Sequence, residues 1–209
     1  MSDPLQNILD KLKQLELELH DEIDKQRERF LYQIEDKKVR FEEEIKRIHK
    51  VQKENLFRYI ANAKLLHILT APFIWFVLIP TILLDITVSL YQAICFPVYG
   101  IPKVKRSDYV VIDRQYLAYL NAIEKMNCIY CGYFNGLIAY VREVAARTEK
   151  YWCPIKHARS VKGTHDHYGY FFDYGDAKAY KEGFSTLRNE FDEVKRRSQQ
   201  TLSKPSEDV

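Results

Sequence analysis

The chain has 209 residues, 29% of them charged, and a formal net charge of +3. That length excludes repeat arrays and large catalytic barrels, and so mild a charge excludes the dense basic surface of a nucleic-acid binder. Glycine and proline at 7 each, with abundant Leu, Glu and Lys, favour a mainly α fold over a sandwich or barrel. Four cysteines do not make a secreted disulfide scaffold in a chain of this size. The polar start, Met1 to Leu15, lacks the pattern of a cleavable signal peptide.

Residues 1–64 are crowded with charge, contain no Gly, and carry their only Pro at Pro4, where a helix start tolerates it. Leu5, Ile8, Leu12, Leu15 and Leu19 recur at alternating three- and four-residue steps. Phe30, Ile34, Phe41, Ile45 and Ile48 extend the stripe, with Lys37 as a polar gap. This spacing predicts one long coiled-coil-like helix, an arm for self-association or for a protein partner.

Residues 65–102 hold a single formal charge, Asp85. Leu65 to Leu84 are 20 consecutive uncharged residues, the length that crosses a bilayer core as a helix. The lipid bilayer is therefore an expected partner. The whole stretch exceeds one span and falls short of two, with Pro72, Pro80 and Pro97 interrupting it. A re-entrant hairpin bending near Pro80 to Asp85 is one solution; a single span ending near Asp85, followed by an interfacial segment, is the other. Lys46, Arg47, Lys50, Lys53, Arg58 and Lys64 lie before the stretch, and Lys103, Lys105, Arg106 and Arg114 lie after it. Cations on both flanks favour the hairpin, with both soluble regions cytoplasmic. Asp85 then needs a headgroup, a water or a partner; a capping or interfacial role explains it more simply than a functional position inside the membrane.

Residues 103–195 read as a small helical domain. Asp113 is a plausible N-cap for a helix carrying Leu117, Leu120 and Ile123; Leu137, Val141, Val144, Ala145 and Tyr151 suggest a second helix. Tyr180, Phe184, Leu187, Phe191 and Val194 give the cleanest helical period of the chain. The polar residues 196–209 read as a disordered tail.

Within this domain stand Cys128-Ile-Tyr-Cys131-Gly132 and Cys153-Pro154-Ile-Lys-His157. Two residues between thiolates let both sulfurs face one ion, a glycine after the second eases a tight turn, and Cys-x3-His falls within structural-zinc spacing. If the 21 intervening residues leave and return as one helix, Cys128, Cys131, Cys153 and His157 close a zinc-knuckle-like Cys3His site. Iron suits the same ligands. His165 and His167 are alternative ligands, although a Gly-containing surface loop explains them as simply.

The run from CIYCGYF to FFDYGD resembles a family of small bacterial membrane-associated proteins with a CxxCG…CPxxH cluster, over roughly Tyr109 to Phe184. The resemblance implies a bacterial inner membrane as the location and brings no activity. No phosphate loop, serine-nucleophile motif or HExxH is present, so no catalytic residue is assigned. Two readings result. One is a membrane-anchored structural and interaction protein, zinc-stapled and carrying a coiled-coil arm; the other is a membrane-bound redox protein using iron or the Cys128/Cys131 pair.

Overall fold

The structure is a computed structural model, and it describes the backbone of residues 4–29, 32–35, 38–41 and 43–202. The chain is mainly helical and divides into two compact units. The first comprises Met1–Pro72 with Ile112–Gly132, the second Phe73–Val111 with Tyr133–Val209.

The first unit opens with α1, Pro4–Arg29. Its Ile8, Leu12, Leu15 and Leu19 stand exposed, so this part of the leucine stripe finds no cover among the described residues. The single long arm expected from the sequence does not form. Strand β1, Tyr32–Glu35, pairs antiparallel with β2, Lys38–Phe41, in the register Tyr32↔Phe41 to Glu35↔Lys38. The cause is local. Tyr32-Gln33-Ile34 and Val39-Arg40-Phe41 alternate apolar with polar and are rich in β-branched and aromatic residues, which a pleated pair accommodates better than a helix. The side chains of Phe30, Ile34, Phe41 and Ile45 lie outside the described residues. Two short helices follow: α2, Glu43–Val51, and α3, Leu56–Asn62, the latter capped by Asn55 Oδ1 accepting from Phe57 N at 2.9 Å. His49 of α2 meets Tyr119 edge to face, with ring centroids 5.2 Å apart.

Helices α4, Leu65–Phe76, and α5, Leu78–Tyr99, form one apolar helical run of 35 residues, Leu65 to Tyr99. Only Val77 separates them, and its φ −62°, ψ −20° remain helical. Pro80 accounts for the interruption: its ring opposes the carbonyl four residues earlier, on Phe76, and leaves that acceptor without its usual donor. The hairpin bend expected near Pro80 to Asp85 is absent, because Pro80 falls in the first turn of α5, where proline is tolerated. The run continues helical to Gly100, whose φ of +73° closes α5 in the left-handed conformation.

Past Gly100, the segment Ile101–Val110 turns back along α5. Val104 meets Gln92, and Arg106 meets Asp85. Helix α6, Ala122–Trp152, then runs for 31 residues. Its start is set by a capping box: Asn121 Oδ1 accepts from Glu124 N at 3.0 Å, and Glu124 Oε2 accepts from Asn121 N at 2.8 Å. The helix expected around Val144 is part of α6, whereas the one expected to carry Leu117 and Leu120 does not form, and only its Ile123 falls in α6. Residues 113–120 contribute a single 3-10 turn, Arg114–Tyr116, and the Asp113 side chain caps nothing.

In the second unit, Phe96, Ile101, Val104, Leu137, Tyr140, Val144 and Phe191 form the buried core. Helix α7, Ala177–Leu202, supplies Leu187 and Phe191 from the periodic stripe. The helix reaches Leu202, so residues 196–202 are not the disordered tail expected; the remainder of that tail lies outside the described residues. Arg188 of α7 lies over Tyr151 at 3.9 Å from the ring centroid, a cation–π contact joining α7 to the end of α6.

Candidate functional site

An acid within an apolar helix needs a partner, and Asp85 has several. Arg106 reaches back from the return segment, with Nε 3.0 Å from Oδ1 and Nη2 2.6 Å from Oδ2. This two-toothed geometry is the strong form of an arginine–carboxylate pair. Tyr133 Oη donates to Oδ2 at 2.9 Å, and Ser89 Oγ, one turn along α5, donates to Oδ1 at 3.3 Å. The carboxylate is 14% exposed while the guanidinium is 42% exposed, so the pair faces outward through Arg106.

One turn further, Gln92 is buried and saturated. Its Nε2 donates to the Val104 carbonyl at 3.0 Å and to Tyr140 Oη at 2.7 Å, and its Oε1 accepts from Val104 N at 2.8 Å. Gln92 therefore pairs with the irregular return segment as a strand neighbour would, and satisfies backbone groups that burial would otherwise strand. Tyr91 Oη and Thr148 Oγ1 lie 3.0 Å apart. The inward stripe of α5 is thus a polar ladder: Asp85, Ser89 and Gln92 facing Arg106, Tyr133, Tyr140 and Val104.

Further along α6, carboxylates hold the loop that follows the helix. Glu143 Oε1 accepts from Arg147 Nε at 2.7 Å and lies 3.3 Å from His167 Nε2. Glu149 Oε2 lies 2.9 Å from His165 Nε2, and Arg142 donates to the Thr164 carbonyl. Burial would raise the Glu143 carboxyl, but the bonds from His167 and Arg147 outweigh it and hold the group at about 2. Burial, with Glu143 adding to it, pushes the Tyr109 phenol up. The cleft lined by Tyr109, Ala139, Arg142, Glu143, His165 and Asp166 measures 120 Å³, well under the ~300 Å³ at which organic ligands are usually enclosed. Arg142, Glu143 and Glu149 latch the loop to α6 through Thr164, His167 and His165, while His165 Nδ1 is buried without a hydrogen-bond partner among the described residues.

The four residues expected to close a Cys3His site are not brought together. Cys128 and Cys131 lie inside α6, Cys153 is exposed just past its end, and His157 stacks on Tyr168 with ring centroids 6.1 Å apart. The leave-and-return needed for closure fails because α6 is unbroken through Gly132 and Gly136, carrying the chain onward by about 1.5 Å per residue. Gly132 serves no turn. His165 and His167 pair with Glu149 and Glu143 instead of joining His157. Among the described residues, no group of three or more His, Cys, Asp or Glu side chains is arranged to hold a metal ion.

Sequence reasoning singled out Asp85 and missed its partners. Arg106, Tyr133 and Tyr140 carry no local signal, because each is linked to α5 across 21 to 51 residues of chain. Gln92 did offer one, as the second strongly polar residue of α5 after Asp85. No family model matches the chain, and no curated protein or solved structure matches it.

Proposed function

We propose that this chain is a membrane-anchored structural and interaction protein, held by the apolar run Leu65–Tyr99 and offering α1 as its contact arm. The observation that carries this reading is the environment of the apolar run. Its most apolar 18 residues have a mean hydropathy of 2.2, yet only 6% of that stretch is buried among the described residues. A core helix of a soluble protein hides such a surface; here Leu66, Leu69, Phe73, Phe76, Ile79 and Leu83 are all exposed. A hydrocarbon environment covers them without a further protein partner. The polar ladder of α5 has the character of scaffolding, since its members satisfy one another. Exposed Ile8, Leu12, Leu15 and Leu19 on α1 support self-association or capture of a partner helix through a coiled coil. The ring contact of His49, before the run, with Tyr119, after it, supports both flanks lying on one face of the membrane, the cytoplasmic face by their Lys and Arg content.

Alkaline carbonate washing of membranes from cells expressing the full chain tests the anchor. The protein is expected in the pellet, and a Leu69→Asp/Phe73→Asp variant in the supernatant, each charge costing roughly 2.5–3.5 kcal/mol within a bilayer. A wild-type chain released by carbonate would overturn the reading.

A further inference from the structure

We infer that α5 lies along the membrane surface, one face in a single leaflet and the other on its own protein, and does not cross the bilayer. The inference rests on the membrane reading above and adds the geometry of insertion. Three observations carry it, each physical.

The outer face comes first. Ile79, Leu83, Ile86, Leu90, Ile94 and Val98 repeat at steps of three and four and all stand exposed, with Val98 at 75%. They form one unbroken apolar stripe along α5, and it does not stop where a crossing would. At about 1.5 Å per residue, the 35-residue run is roughly 50 Å long against a hydrocarbon core of ~30 Å. A perpendicular crossing by Leu65 to Leu84 would leave Ile86, Leu90, Ile94 and Val98 bare in water. Lying flat covers the whole stripe.

The inner face is the second observation. Opposite the stripe, α5 is lined by Ile101–Val110, an irregular segment with Lys103, Lys105 and Asp108 exposed and Arg106 at 42%. Irregular backbone exposed to lipid is not tolerated at membrane depth, because its unpaired N–H and C=O groups cannot be hydrated there. Charges at that depth are similarly costly. A crossing α5 would carry this segment into the hydrocarbon beside it; a flat α5 keeps it on the water side, as amphipathic interfacial helices do.

Third, the flanks agree. His49 and Tyr119 share a ring contact, so the chain before the apolar run and the chain after it meet. A hairpin would explain that meeting, but α5 is unbent from Leu78 to Tyr99. Helix α4 has 12 residues, too few to cross alone, and none of them is buried, which suits immersion in lipid.

The test is depth profiling of the full chain in phosphatidylcholine vesicles. The four native cysteines are replaced by serine, and a nitroxide is attached through single cysteines at Ile79, Leu83, Ile86, Leu90, Ile94 and Val98. Helical signal and carbonate resistance of each variant confirm that it still folds and inserts. The result expected is six labels at one shallow depth, within about one helical pitch, ~5 Å. A depth that changes steadily with residue number, by roughly 28 Å from Ile79 to Val98, would overturn the flat geometry and establish a crossing. Two limbs meeting at a deepest residue would establish a hairpin. Water-like signals at all six positions would overturn the membrane reading itself. Impermeant maleimide labelling of Lys53→Cys and Lys105→Cys, singly, should mark both from the same side; opposite sides would also overturn the inference.

Discussion

Asp85 stabilises the second unit only while Arg106 and Tyr133 reach it, because a carboxylate at 14% exposure has lost much of its water. Asp85→Asn is expected to cost about 1–2 kcal/mol, a modest figure because Arg106 remains partly solvated. Arg106→Gln should cost at least as much, since it leaves the acid unpaired. A double-mutant cycle of thermal unfolding in detergent should show strong coupling; additive losses would mean that the pair carries no interaction energy. Gly136 is a different kind of constraint. A methyl group there would meet the Tyr109 carbonyl oxygen at 2.6 Å and Val110 Cα at 2.8 Å, both backbone, so Gly136→Ala should lose about 1–3 kcal/mol. Gly183→Ala meets only the far edge of the Phe172 ring and should lose less in the same melt. Glu143 sets an acid limit. Its folded value near 2 lies below an ordinary 4.5, so its stabilisation is complete above about pH 4.5 and disappears as pH falls through 2. Glu143→Gln should flatten stability over that window, and an unchanged acid profile would dissociate the latch from acid unfolding.

At the scale of elements, periodicity was informative wherever one face of a helix met one environment. The helices at α1 and α7, and the apolar character of α4 and α5, follow from residue order alone. Leu187 and Phe191 sit in the core as their spacing requires. Boundaries decided by a single side chain were harder to see. Cys131-Gly132 resembles a turn, but capping by Asn121 and Glu124 starts a helix whose packing outweighs the ~1 kcal/mol cost of an internal glycine. Tyr32 to Phe41 fits a helical stripe loosely and a two-residue alternation better, and the alternation prevails. The pairing of Asp85 with Arg106 was illegible for another reason: sequence shows that a buried acid needs a partner, not which of the surrounding cations turns back to meet it. The exposed stripe of α1 leads to an expectation at this scale. Leu12→Asp/Leu15→Asp should convert an oligomer to a monomer by light scattering in detergent, with little change in helical signal. A wild-type monomer would leave the stripe to a different partner.

For the whole molecule, the two faces of the apolar run matter more than net charge. A formal +3 spread over 209 residues gives weak attraction to any surface, whereas burying the outer stripe of α5 contributes about 25 cal/mol for each square ångström removed from water. Raising salt to 1 M should therefore leave the protein on sedimented membranes. Release by salt would show that attachment is mainly electrostatic. The same helix also places Gln92 and Phe96 in the interior of the second unit. Cutting out residues 73–99 would thus remove part of the core along with the exposed apolar side. The apolar run is not a detachable tether, because deleting it takes Gln92 and Phe96 out of the core. Polar substitutions confined to Ile86, Leu90, Ile94 and Val98 leave those interior positions intact. In an evolving lineage, a less apolar outer face is open to stepwise surface change, while losing the helix is not.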